Sequence, residues 1–165
     1  MLKLVIGMKN KAGFTLIEIL VVLLIIGITV GFALIAFGDF GSKRRIVVAT
    51  EQFVNYVKFT QQIAILKTST LGIQFHNNQY DILQLESANH WQSMPKKTVF
   101  HSQHFPDNAT LHLETSEKAG PQIIINASGD MSPFKLNIGS TNQPHIAVIM
   151  GKQDGSLSLQ WVDAP

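Results

Sequence analysis

Residues 19–38 form an unbroken run of 20 uncharged positions, most of them Leu, Ile, Val, Ala or Phe. At about 1.5 Å of rise per residue such a helix reaches roughly 30 Å, the thickness of a bilayer's hydrocarbon core. A cleaved secretory signal has a shorter apolar region, about 7–15 residues, closed by a small-residue cleavage site. Here Phe37, Asp39 and Phe40 stand where that site belongs, so the pattern predicts a retained membrane helix. Beyond Gly38 and Gly41 the texture becomes amphipathic. Residues 46–67 contain neither Gly nor Pro, and Val47, Thr50, Val54, Val57, Gln61 and Ala64 recur at three- and four-residue steps, with Phe53 and Ile63 widening the stripe. This is the period of a helix with one buried face. The expectation is one long helix, soft at the glycines, whose second half lays its apolar face on a globular body. A separate helix after a linker would pack the same way and differ only at those glycines.

From Leu71 the period shortens to two. Residues 71–75 and 80–85 flank Asn77-Asn78 as a hairpin would, and residues 98–100 and 111–113 are shorter strand candidates. Residues 123–125 end at Gly129-Asp130, and Phe134, Leu136 and Ile138 alternate with polar neighbours. Residues 146–150 and 157–161 bracket Asp154-Gly155, with Leu157, Leu159 and Trp161 on one face. Residues 87–95 and 101–108 read as loops. The predicted class is α+β, a long N-terminal helix packed on a mainly antiparallel sheet head.

Composition narrows the chemistry. A mean hydropathy of +0.17 is oily for a soluble chain yet too low for a polytopic one. With no cysteine among the 165 residues, a disulfide scaffold, a thiolate metal site and a cysteine nucleophile are all excluded. The apparent basicity is local. Six of the 13 cations lie at or before Arg45, whereas the rest of the chain has seven lysines and no arginine against nine acids. A head with a net charge of −2 lacks the clustered cations that phosphate binding needs, so no nucleic acid is expected as a partner. His101-x-x-His104 with His112 is the one histidine grouping at short spacing, but it falls in a predicted loop without acids at ligand spacing, and solvated histidines are expected there. No nucleophile elbow, phosphate-binding glycine loop or zinc-helix motif is present. No catalytic residue, metal or cofactor is assigned; the chain reads as a non-enzyme.

Residues 11–18, Lys-Ala-Gly-Phe-Thr-Leu-Ile-Glu, stand at the lip of the apolar run. A carboxylate at Glu18, so close to hydrocarbon, needs either the headgroups or a partner. Gly13 followed by Phe14, Thr15, Leu16, Ile17, Glu18 and a spanning helix resembles the prepilin (class III) signal of type IV pilins and pseudopilins. The resemblance implies that a prepilin peptidase cuts after Gly13 and N-methylates Phe14. Glu18 then becomes the fifth residue of the processed chain, the place of the family's assembly glutamate. The chemistry agrees, since cleavage creates an ammonium at Phe14 that a neighbour's Glu18 would neutralise. Residues 2–8 lengthen the leader beyond the usual, and a start at Met8 rather than Met1 would give a more typical one.

The head adds to this. The end of the helix, residues 71–75, the Tyr80-Asp81-Ile82-Leu83 run, Trp91, residues 121–125 and Ser128-Gly129-Asp130-Met131-Ser132-Pro133-Phe134 are similar to the GspH/FimT family of pilin-like proteins. This family contains minor pseudopilins of type II secretion and FimT-like minor pilins of type IV pili. The resemblance implies a filament subunit, organised as a leader (1–13), a membrane and filament-core helix (14–40), its amphipathic continuation (41–68) and a β-rich periplasmic head (69–165). It implies a single-pass protein of the bacterial inner membrane. The implied partners are minor pseudopilins I, J and K, the major pseudopilin G, the prepilin peptidase and the inner-membrane assembly platform. A FimT-like role in pilus assembly or DNA uptake is the alternative, and a head that is net negative and lacks arginine speaks against its DNA-binding form. Orientation by flanking charge is nearly a draw, with Lys3, Lys9 and Lys11 before the run and Lys43, Arg44 and Arg45 after it.

Overall fold

The computed structural model of the chain describes residues 15–87, 90–94, 102–116 and 120–162, and of residues 34–40 the backbone only. A helix, α1 (Leu16–Lys67), is followed by nine strands among the described residues. These are β1 (Leu71–His76), β2 (Gln79–Ser87), β3 (His90–Ser93), β4 (Gln103–His104), β5 (Ala109–Thr115), β6 (Ile123–Ile125), β7 (Phe134–Ser140), β8 (Ala147–Gly151) and β9 (Leu157–Trp161). The chain separates into two compact units, residues up to Phe40 and residues from Gly41 onward. The backbone is helical through Gly38 and Gly41.

In the second unit α1 buries Ile46, Thr50, Phe53, Val57, Thr60 and Ala64. Of the stripe read from periodicity, Thr50, Phe53, Val57 and Ala64 are buried and Val47, Val54, Gln61 and Ile63 flank them half-buried, while Ile46, Ala49 and Thr60 are buried positions that it left out. Two threonines stand in the buried row. Their hydroxyls donate to the carbonyls one turn back, Thr50 to Ile46 and Thr60 to Tyr56, each at 2.7 Å, so neither is an orphaned polar group.

Two antiparallel sheets meet this face. One has the order β3-β2-β1-β6, with β4 pairing the far end of β2; the other has the order β5-β7-β8-β9. The hairpin turn lies at Asn77-Asn78 as read, with Asn77 in the left-handed region at φ 55. Two predicted loops contain strand. His90–Ser93 pairs with β2 across a register shift near Leu85 and Ser87, and Gln103–His104 pairs with Gln79 and Tyr80. Polar composition hid both, since an edge strand buries little: of β3's four residues only Trp91 is even half-buried. The strand expected at 98–100 lies outside the described residues.

The core is one cluster shared by α1 and both sheets. Its densest part is aromatic. Phe53 is fully buried, with its ring centroid 5.4 Å from Phe75, 5.0 Å from Tyr80 and 5.7 Å from Phe105. Tyr56 meets Tyr80 edge-on at 4.9 Å. Burial pushes both tyrosine hydroxyls above their ordinary range, and for Tyr56 the neighbouring Tyr80 and Asp81 push the same way.

Gln61 ties two turns of the head to the helix. Its side-chain amide donates to the carbonyl of Gly129, in the turn before β7, at 2.6 Å and to that of Gly155, in the β8–β9 turn, at 3.1 Å. Both glycines have positive φ, and a Cβ on Gly155 would stand 2.4 Å from the Gly129 carbonyl oxygen. Only glycine permits that approach. Gln61→Ala removes both donors and leaves two carbonyls without them. We expect a loss of about 1–3 kcal/mol, read as a lower denaturant midpoint at unchanged slope for the full chain in detergent. An unchanged midpoint would show that water replaces the amide at no cost.

Candidate functional site

The described chain opens at Thr15. Its side-chain oxygen accepts from the Glu18 amide at 3.3 Å, and its carbonyl accepts from the amides of Glu18 and Ile19 at 3.1 and 3.3 Å. Thr15 is therefore the N-cap of α1, satisfying one of the first-turn donors that a helix leaves free, and Glu18 is at N3. Thr15-x-x-Glu18 is the capping-box spacing, a signal present in the sequence but overshadowed there by the leader motif. Glu18 sits in the first turn, where a negative charge complements the helix dipole. Gly13 and Phe14, the cleavage and methylation positions read from sequence, lie outside the described residues.

From the cap onward the surface is oil. Leu16–Ala33 is long and apolar enough to cross a membrane, and none of that window is buried within the chain. Leu23 and Phe32, on opposite sides of the helix, are 63% and 71% exposed. A helix apolar all round is built for lipid or for burial among other helices. Its one strongly polar side chain beyond the first turn is Thr29, whose hydroxyl donates back to the carbonyls of Ile25 and Ile26, both at 3.0 Å. That satisfies the hydroxyl internally, as an apolar solvent demands.

The head offers less. His104 is exposed on β4 in one sheet and His112 is exposed on β5 in the other, while His101 lies outside the described residues. Among the described residues no three His, Cys, Asp or Glu side chains gather into a metal-holding group. A shallow concavity of about 400 Å³ on β5 and β7 includes His112, Glu114, Lys135, Asn137 and His145. There Glu114 accepts from Asn137 at 3.0 Å and from Lys135 at 3.4 Å, with both ionic partners about half exposed. A solvated pair of this kind satisfies itself and polarises nothing. Trp91 packs over Gly72, where a Cβ would come within 2.9 Å of its ring, and Trp161 packs on the core. Both tryptophans are structural. Of the processing and assembly residues that sequence reading singled out, Glu18 is the one the structure describes, at the start of α1.

Comparison with known proteins agrees with this location. The profile described as the prokaryotic N-terminal methylation motif matches residues 8–34. Type II secretion system protein H of Pseudomonas aeruginosa is 26% identical over 79% of this chain and 84% of its own length, and four further curated relatives bear the same name. Among solved structures, the minor pseudopilin EpsH from the type II secretion system of Vibrio cholerae superposes with a TM-score of 0.63 at 19% identity, over 74% of this chain and 98% of that one. The type IV minor pilin FimU of Pseudomonas aeruginosa follows at a TM-score of 0.54 and 15% identity, over 73% and 92%. The fold is pilin-like, and the GspH/FimT resemblance read from residues 11–18 and the head stands.

The cap is open to measurement. In the full chain held in nanodiscs, Thr15→Ala should raise amide exchange at residues 16–18 and leave residues 46–67 unchanged, whereas Thr15→Ser should exchange like the parent. Equal exchange in all three proteins would remove the capping role.

Proposed function

We propose that this chain is a minor pseudopilin of type II secretion, a non-catalytic filament subunit that contributes to export of folded proteins across the outer membrane. The observation that carries the reading is the joining of a methylation motif and a fully exposed apolar helix to a head whose curated relatives are protein H of that system. Before assembly the helix lies in the inner membrane as a single span, with the head in the periplasm. In the filament the same surface packs against other helices, by head-to-tail contacts that do not close into a ring. The partners of this reading are minor pseudopilins I, J and K and the major pseudopilin G, with the assembly platform at the membrane and the prepilin peptidase acting first. The curated names favour secretion over the FimT-like alternative, and the absence of arginine after Arg45 gives DNA no site of the usual kind. Co-purification from membranes with the other pseudopilins is expected; recovery with a type IV pilus machine instead would overturn the assignment.

Processing follows from Gly13 and Phe14. Intact-mass and N-terminal analysis of protein from peptidase-positive cells should find a chain beginning at Phe14 and bearing one methyl group. A bulky residue at Gly13 should block cleavage, because a protease holding the backbone closely there has no room for a side chain. A protein that retains Lys11-Ala12-Gly13 in those cells would refute the processing step.

Glu18 decides assembly. If it only reached the headgroups, Glu18→Ala would be silent or would ease insertion. As the partner of a neighbour's N-terminal ammonium, its removal leaves a charge unpaired in a medium of low dielectric. Breaking one side of a buried pair costs about 3–5 kcal/mol, or two to four orders of magnitude in an assembly equilibrium. Glu18→Ala is therefore expected to insert and be cleaved normally yet fail to cross-link to partner pseudopilins. Glu18→Gln, which keeps an acceptor and loses the charge, should be partly defective. Parental cross-linking by Glu18→Ala would leave Glu18 without the pairing role.

A further inference from the structure

We propose that Lys43, Arg44 and Arg45 form a cationic collar that binds anionic phospholipid headgroups on the side of the membrane from which the head projects. The inference rests on the membrane-anchored reading above. The three cations are consecutive in α1, Arg44 and Arg45 are exposed, and Lys43 is half-buried. No carboxylate pairs with any of the three among the described residues. Ile46, the next residue, is wholly buried against the head. At about 100° per residue the preceding three positions fan over the remaining circumference of that turn, so their charges face outward on every side the head leaves open.

Their height follows from the chain. Gly38 ends the uncharged run, and five steps lead from it to Lys43. Five residues rise about 7.5 Å as helix and reach at most about 18 Å fully extended. A bilayer's headgroup layer is about 5–8 Å deep on each side of the hydrocarbon. Long cationic side chains bend along apolar surface toward a polar interface, so either backbone path brings the three charges to phosphate depth. The arrangement also opposes the charge rule for membrane topology, which disfavours cations on the exported flank. Three such residues kept there, in a region whose only acids nearby in sequence are Asp39 and Glu51, fit a positive role with anionic lipid. A multivalent collar suits a subunit that must be held at the surface and still leave it, because each contact is weak and exchangeable.

The test uses the processed full chain in detergent micelles, titrated with phosphatidylglycerol or phosphatidylcholine and read by native mass spectrometry. Membrane integration is first checked by resistance to alkaline extraction. Each cation near an anionic surface is worth about fivefold, so the parent should prefer phosphatidylglycerol by up to the order of a hundredfold, and 0.5 M salt should collapse the preference. The triple variant Lys43→Gln, Arg44→Gln, Arg45→Gln should bind both lipids alike. The charge-keeping variant Lys43→Arg, Arg44→Lys, Arg45→Lys should behave as the parent. An unchanged preference in the glutamine variant overturns the proposal. So does a parent with no lipid preference whose Arg44 instead cross-links to acidic residues of a partner subunit. A chain extracted by alkali would fail the anchor reading itself, and the lipid inference with it.

Discussion

The helix surface of Leu16–Ala33 has to be covered by something other than its own chain, and this constraint orders everything else. Large apolar side chains around the whole circumference, none of them buried, cannot stay in water. They require a medium in which every backbone polar group is satisfied internally, which a continuous helix provides and a strand or loop does not. The Thr15 cap and the internally bonded hydroxyl of Thr29 are local answers to the same demand.

The second half of α1 works under the opposite rule. From Ile46 to Ala64 its buried row is covered by the head, and the head has no other helix among the described residues to close its core. Phe53 inserts among Phe75, Tyr80 and Phe105, while Gln61 holds the Gly129 and Gly155 turns a few ångströms apart. The two contacts do different work. Aromatic burial supplies most of the attraction, which is nondirectional. The amide, with fixed acceptors in the β6–β7 and β8–β9 turns, specifies which turn of the helix meets them.

Much of this was legible because the signals were strong where the physics was simple. Twenty uncharged residues admit few readings, and Asn77-Asn78, Gly129-Asp130 and Asp154-Gly155 marked three turns that the structure contains. The failures have a common cause. His90–Ser93 and Gln103–His104 are short strands defined by backbone pairing to β2, and a pairing partner leaves no period in the paired segment itself. On the helix, the periodic stripe included Thr50 but passed over Thr60, which looks polar until its hydroxyl is seen bonded to the carbonyl one turn back. Glu18 was conspicuous in the sequence by its position, whereas the Thr15-x-x-Glu18 capping spacing was there too but overshadowed by the leader motif.

An apolar helix leaving lipid for a bundle of similar helices exchanges one oily neighbour for another, so area burial contributes little to the choice between them. What distinguishes the two states must then reside in the exceptions: the Glu18 carboxylate at one end of the span and the Lys43, Arg44 and Arg45 charges beyond the other. In the proposed reading, Glu18 is poorly served by lipid and gains a counter-charge in the filament. The three cations are well served by headgroups and lose that contact on leaving the membrane. Two opposing electrostatic terms on a nearly neutral apolar background make extraction reversible and sensitive to the partner offered. A helix that was uniformly apolar would partition into the bilayer at least as well, but it would carry no charge-based preference for either destination.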